Sequence, residues 1–518
     1  MPRPFARLSL IFSLTGGLLS GQPAIYTGQY NAARTSANQA ETVLNTSNVN
    51  GGQFGLLFSR QVDAQIYAQP LYVPGVAMAG GARNVVYAAT MNNTVYAFDA
   101  DNPGASAPLW SVNLGPPMPI AQAKLSPQVG ILSTPVIDPA TATLYAVAAT
   151  LESGSYYYRL HALDIASGAE KFGGPVTIRA SVRGTAPDAV AGIVTFNPAA
   201  ILQRPALLLA GGVIHIAFGT SNYNPGHLPY HGWLMGYNAS TLAQTYVLNT
   251  TPNGSNGGIW MSAAGPSADA NAIYVAVGNG DTGGGNLGET VLRLGAKVDY
   301  FTPANFQVLN YLDWDMGSSG AVLLPGTNLL AAGGKIGVLF LLSRTNLGQY
   351  QPNNQGAAQK FQLTPGCSAP VYNGCAEIHH LTYWYRGSGD SRLFVWGWND
   401  FLKAFVMTNG VLNTTPASTN SAVAGYPGGI LALSSNGAAA GTAIVWAVTA
   451  AESYIGDGLA QGVLRAYDAM DVSHELWNSA ANPADALGLL AKFAPPVVAN
   501  GRVYVATASN ALQVYGLK

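Results

Sequence analysis

The chain has 518 residues, a formal net charge of −1 and only 9% charged residues against 48% hydrophobic ones. That is too apolar for a disordered chain. A balance so close to neutral offers no basic field to nucleic acid or an anionic membrane, so no nucleic-acid partner is expected.

In chain order, the first feature is MPRPFARLSLIFSLTGGLLSGQ. Arg3 and Arg7 precede an apolar run from Leu8 to Leu19, which small residues close at Ser20 and Gly21. This is the layout of a secretory signal peptide over residues 1–21. No later segment has the ~18 uninterrupted apolar residues of a membrane span, and no cysteine follows the small residues to carry a lipid. A secreted or periplasmic mature chain is expected, with a lead-in over 22–53 and a single domain to residue 518.

One seven-residue string then recurs eight times, from TVYAFDA at Thr94 through RLHALDI at Arg159, WLMGYNA at Trp233, TVLRLGA at Thr290, VLFLLSR at Val338, FLKAFVM at Phe401 and VLRAYDA at Val463 to ALQVYGL at Ala511. Its second position is always Val or Leu, and its fourth is Ala or Gly in five copies, as close packing requires. Each copy follows another Val/Ile/Tyr-rich string, such as NVVYAAT or GRVYVATAS, bounded by Gly, Asn and Pro, which marks strands. Most copies have a further strand before the pair, and several have one after it. Four strands per unit at a spacing of 48 to 74 residues describe an all-β, eight-bladed propeller of antiparallel blades.

The last unit lacks its fourth strand, and FGLLFSRQV, residues 54–62, is a strand without a blade. Pairing the two closes the ring and removes an exposed sheet edge. With strands counted outward from the axis, the turns between first and second strands are short. The loops between second and third strands, and those joining one blade to the next, share the other end and are long. NGDTGGGNLGE (Asn279 to Glu289) is one of them. Long polar loops gathered at one end of a rigid scaffold predict a binding face. The two cysteines, Cys367 and Cys375, are expected to pair in an oxidising compartment, closing a short loop worth about 2.5 kcal/mol in chain entropy.

The repeats ending in AFDA…LW and AYDA…LW, the lead-in NAARTSANQAETVLNTSNVN, and the segments GGIWMSAAGPSADANAIYVAVGNG and DWDMGSSGAVLLPGTNLLAAGGKIGVLFLLSR resemble the pyrroloquinoline quinone (PQQ) dehydrogenases, over almost the whole mature chain. The resemblance implies PQQ and Ca²⁺ as cofactors and an alcohol or sugar as the small-molecule substrate. It makes Trp260 the stacking floor, Asn279 a metal ligand and Lys335 the cation at the quinone oxygens. A stacked aromatic face, oxygen ligands to a hard cation and a positive charge at a developing oxyanion are what such chemistry needs. Asp281 and Glu289 are the carboxylates in the loop where the catalytic acid falls, Asp281 doubling as a metal ligand. His231 stands where the family often has arginine. The sequence departs from the pattern in having no adjacent cysteines, and His227 or Pro229 stands where a glutamate ligand belongs.

Plainer readings stand beside these. Trp260 would fill the channel mouth, Asn279-Gly280 would make a turn and Lys335 would be a solvated strand end. Asp313 and Asp315 read as loop-capping carboxylates, with a metal pair as the alternative. His379 and His380 point to opposite sides of an extended segment and do not form a metal pair. Two functions follow: a quinoprotein-type oxidoreductase passing electrons to an external acceptor, or a non-catalytic propeller of the same descent binding a protein or polymer through the loop-bearing face.

Overall fold

The computed structural model describes residues 23–119, 126–219, 228–367, 375–452 and 459–518. The expected signal peptide (1–21) and His227 lie outside them. Eight antiparallel blades are present, and each of the eight recurring strings forms the third strand of its blade, from Thr94–Asp99 in blade 1 to Ala511–Leu517 in blade 8. These strands are buried on both faces because each blade packs between two others, and Ala97, Ala162, Ala404 and Ala466 have no exposed surface at all. At the same place in blade 3, a Cβ on Gly236 would meet the Tyr246 ring of the neighbouring strand at 2.2 Å, so only glycine fits.

Closure occurs as expected. Phe54–Gln61 runs antiparallel to Ala511–Leu517 and is the outermost strand of blade 8, in register from Phe54 opposite Leu517 to Gln61 opposite Ala511. Phe54 is fully buried and packs on Trp446 and Trp477 of blade 7 at 5.4 and 5.0 Å between ring centres, which ties the closing strand sideways as well. Blades 4, 6 and 7 carry more than four strands. Gln349–Tyr350 adds to blade 4, Val411–Leu412 and Ser418–Val423 both pair with Phe401–Thr408 in blade 6, and Ala37–Asn38 adds to blade 7.

The lead-in does more than precede the closing strand. Ile25 exchanges backbone hydrogen bonds with Tyr72 of blade 1, and the carbonyls of Tyr26, Ala32, Ala33, Thr35 and Ser36 accept from Ile137, Ala268, Leu323, Tyr383 and Leu433. Those donors lie on the innermost strands of blades 2, 4, 5, 6 and 7. Arg34 donates to Leu207 O at the start of blade 3, and the Tyr30 hydroxyl bonds Pro496 O and Val498 N of blade 8. One segment of about a dozen residues is thus hydrogen-bonded to all eight blades. Gln29, Tyr30, Arg34 and Ser36 adopt left-handed backbone with φ of 51°, 73°, 62° and 55°. Non-glycine residues hold that conformation only where surrounding contacts over-determine it.

Candidate functional site

The segments joining the outer strand of one blade to the inner strand of the next, and the loops between second and third strands, lie on one end of the ring. Trp260 comes from the segment between blades 3 and 4, Asp313 and Asp315 from that between blades 4 and 5, and Lys335 from the tight loop after Leu329–Gly333 of blade 5. These side chains meet. Trp260 Nε1 donates to Asp315 Oδ2 at 2.6 Å. The Lys335 ammonium lies 3.1 Å from Asp315 Oδ1 and 3.2 Å from Asp313 Oδ2, donates to Asp313 O at 2.9 Å, and sits 5.6 Å from the centre of the Trp260 ring. Asn279, in the long loop of blade 4, donates through its amide nitrogen to Asp313 Oδ1. Glu289, at the end of that loop, accepts from Met316 N at 2.8 Å.

Gly278 makes this convergence possible. A Cβ there would lie 2.6 Å from Asp315 Oδ2 and 3.0 Å from Trp260 Nε1. Gly278→Ala is therefore expected to force the indole and carboxylate apart, costing about 1–3 kcal/mol of overpacking and shifting Trp260 fluorescence. An unchanged emission spectrum and melting temperature would show that the pair is not held so tightly.

Charge in the cluster is unevenly balanced. Burial works against the Lys335 cation, but Asp315, Asp313 and Glu377 outweigh it and hold the ammonium pKa above its ordinary value. Burial pushes the Asp315 carboxyl up, against the opposing pull of Lys335. Burial, followed by the charge of Asp315, pushes Glu289 well above the usual carboxylate range. Asn279 Oδ1 and Glu289 Oε1 are buried with no hydrogen-bond donor. A carboxyl whose pKa is raised in the folded state adds stability that is complete below the ordinary glutamate range and is lost as pH rises through the raised folded value. In buffer with chelator, Glu289→Gln is thus expected to melt above the parent at pH 8 and to converge with it near pH 4. A difference that does not change with pH would refute the strain assigned to Glu289.

A collar of rings adjoins the cluster. His379 lies 5.9 Å from Trp260, 5.2 Å from Phe493 and 5.7 Å from Tyr426 between ring centres, and Trp398 packs on Tyr426 at 5.3 Å. His379 is fixed at both nitrogens, by Ser262 Oγ at 2.8 Å and Glu377 Oε2 at 2.7 Å. His380 turns the other way, to Ser36 Oγ of the lead-in at 2.9 Å. As alternation along an extended segment requires, the two imidazoles share no site. Cys367 and Cys375 are disulfide-bonded beside this region, with Cys367 Sγ 3.7 Å from Lys335 O.

Trp260, Asn279, Lys335 and Glu289 are therefore gathered in one region. Asp281 is not among them: its side chain is exposed and accepts from Ser255 N at 2.8 Å, which fixes the neighbouring loop. His231 is buried, with its nitrogens engaged by Thr251 Oγ1 at 2.9 Å and Asp188 Oδ1 at 3.0 Å, and no contact places it against Trp260. Two plainer readings are corrected. Lys335 is not a solvated strand end, because its side chain is only 14% exposed and faces two carboxylates. Asp315 is not a loop cap: it precedes the short turn Met316–Ser318, yet its side chain caps nothing there and is directed to Trp260 and Lys335. Its place just before an innermost strand, on the same end as Trp260, was the available signal.

Among the described residues no three His, Cys, Asp or Glu side chains converge as a ready-made metal cage. What is present suits a hard cation in kind, since Asn279 and Glu289 offer buried oxygens without donors beside a carboxylate-rich cluster. The partly buried Trp260 indole, with a cation near its face, suits a flat anionic ring.

No family model and no curated protein matches the chain. In structure it is similar to quinohemoprotein alcohol dehydrogenase from Pseudomonas putida HK5, with a TM-score of 0.57, 13% identity, and coverage of 96% of this chain and 80% of that one. The quinohemoprotein alcohol dehydrogenase of Comamonas testosteroni gives a TM-score of 0.57, 16% identity, and coverage of 95% and 80%. The chain thus shares the propeller fold of these two proteins.

Proposed function

We propose that the chain is an exported quinoprotein-like oxidoreductase that binds PQQ and Ca²⁺ at its loop-bearing face and oxidises an alcohol or sugar. The observation that carries this reading is the meeting of Trp260, from the connection between blades 3 and 4, Asp315, from that between blades 4 and 5, and Lys335, from a loop of blade 5, in one polar cluster. When bound, the quinone supplies a two-electron acceptor and the cation polarises its reactive carbonyl. Trp260 would bear the flat ring, and Asn279 and Glu289 would supply oxygens to the cation. Asp315, buried with its pKa raised, would take the substrate hydroxyl proton at a carboxylate oxygen. Lys335 would hold Asp315 in place and stabilise negative charge developing beside it. Asp281 and His231 would support the loops around the site. Export is supported by the leader-like N-terminus and the disulfide. With two cysteines and no C-x-x-C-H haem motif, electrons would leave to an external acceptor.

Purified protein titrated with PQQ and Ca²⁺ is expected to lose tryptophan fluorescence in a saturable way at micromolar cofactor, and chelator is expected to reverse part of the loss. An unresponsive protein would refute the reading and leave the non-catalytic propeller, whose loop-bearing face takes a protein or polymer.

A further inference from the structure

The carboxylates of the site, on Glu289, Asp313, Asp315 and Glu377, all lie between blades 4 and 6. Two cations flank that arc from outside it. Arg204, in the segment leading into blade 3, places its guanidinium carbon 5.0 Å from the centre of the Phe493 ring. Lys492, next to Phe493 in the segment leading into blade 8, is 5% exposed and places its ammonium 4.7 Å from the centre of the Tyr426 ring. Phe493 and Tyr426 both pack on His379, and Phe493 lies 6.5 Å from Trp260, so these cations border the same collar of rings. Phe493 itself holds a left-handed backbone, φ 70°.

Lys335, the cation against the Trp260 ring, is paired with two acids, whereas among the described residues no carboxylate is paired with Arg204. Burial lowers the pKa of this guanidinium, opposed only by the nearby Tyr426 and Tyr67 hydroxyls. Leaving a partly buried guanidinium with five donors and no anion is costly, and a planar fork of donors matches a carboxylate in two-point fashion.

We infer that Arg204 is an anion seat for this face, and that the ligand bound there is an aromatic or ring-bearing carboxylate whose ring packs into the Trp260–Phe493–Tyr426 collar. The carboxylate belongs either to a cofactor or to an acidic substrate. This inference rests on the reading of the loop-bearing face as a small-molecule site and adds to it the charge and shape of the ligand.

The test titrates the full chain with three probes, PQQ, its trimethyl ester and 2-naphthoate, following tryptophan fluorescence and calorimetry at two salt concentrations. It is repeated on Arg204→Gln and Arg204→Lys after circular dichroism confirms folding. The free acids are expected to bind more weakly at high salt. Arg204→Gln is expected to lose at least 10-fold in affinity, with Arg204→Lys between it and the parent, and the ester is expected to bind no better to the parent than to Arg204→Gln. Naphthoate binding through Arg204 without PQQ binding would uphold the anion seat while refuting the quinone reading. PQQ binding that ignores both esterification and Arg204→Gln would overturn the seat and leave the quinone reading standing. Failure of all three probes would overturn both. If Arg204→Gln does not fold, an ester that binds the parent as well as its acid, with no salt dependence, overturns the seat by itself.

Discussion

Methionine in place of Arg34 is expected to cost the fold about 3 kcal/mol, read as a lower urea midpoint. The Arg34 side chain is 1% exposed and donates to Pro266 O, Gly28 O, Leu207 O and Thr27 Oγ1 at 2.6 to 3.0 Å. Burial brings its pKa down to about 9, so it is charged at neutral pH with carbonyl dipoles as its partners. Methionine fills similar volume but takes the Arg34 donor from the carbonyls of Gly28 and Pro266, each loss costing ~1–3 kcal/mol, and leaves Leu207 O only the longer bond from Thr27 Oγ1, offset in part by removing a buried charge. Arg502→Met is the control, because it breaks an ion pair to Asp101, whose side chain is 45% exposed, and should cost under ~1 kcal/mol. Equal midpoints for the two variants would show that the lead-in is not a structural member of the ring.

The second large effect lies in the site, where two variants should separate binding from chemistry. Trp260→Ala removes the proposed stacking floor and is expected to weaken PQQ binding on the order of 30-fold, about 2 kcal/mol. Asp315→Asn keeps the volume and leaves an oxygen for the Trp260 indole, so binding should change little. Its turnover with the best alcohol or sugar is expected to fall ~10²- to 10⁴-fold, the usual contribution of a general base. Quinone binding that survives Trp260→Ala would place the cofactor elsewhere, and an Asp315→Asn enzyme of near-normal kcat would remove the base from the scheme.

The ring was legible because a propeller repeats its pattern. The Val/Leu and Ala/Gly positions around Tyr96 and Ala97 recur in blade after blade, and a strand missing at Lys518 with one spare at Phe54 leaves a single economical pairing. The site was only partly legible. Trp260, Asn279 and Lys335 stand in segments with a recognisable pattern, and the structure groups them. Asp315 was passed over because a carboxylate before a short turn is usually a cap, and its use is decided by Gly278, which lets the indole and the carboxylate come together. Asp281 illustrates the converse: in a glycine-rich loop, sequence position does not say which way a side chain turns, and this one serves Ser255. The collar around His379 draws one or two residues from each of several distant segments, so no local pattern announces it. The lead-in was equally opaque, since six of the blades are bonded through backbone groups that any residue possesses, and blades 3 and 8 through the Arg34 and Tyr30 side chains.

That central thread also dictates an order of assembly. Tyr30 and Val498 are hydrogen-bonded at 2.8 Å although 468 positions separate them, so the lead-in completes its bonds only after a segment synthesised much later has arrived. Contacts of such separation are slow to form because their closure entropy is spent before any gain is returned. No partial set of sectors offers the thread its full complement of partners, and the left-handed turns at Gln29, Tyr30, Arg34 and Ser36 have little to sustain them until then. The molecule should therefore acquire its native state in a single late event, with the lead-in held idle until blade 8 comes round to meet it.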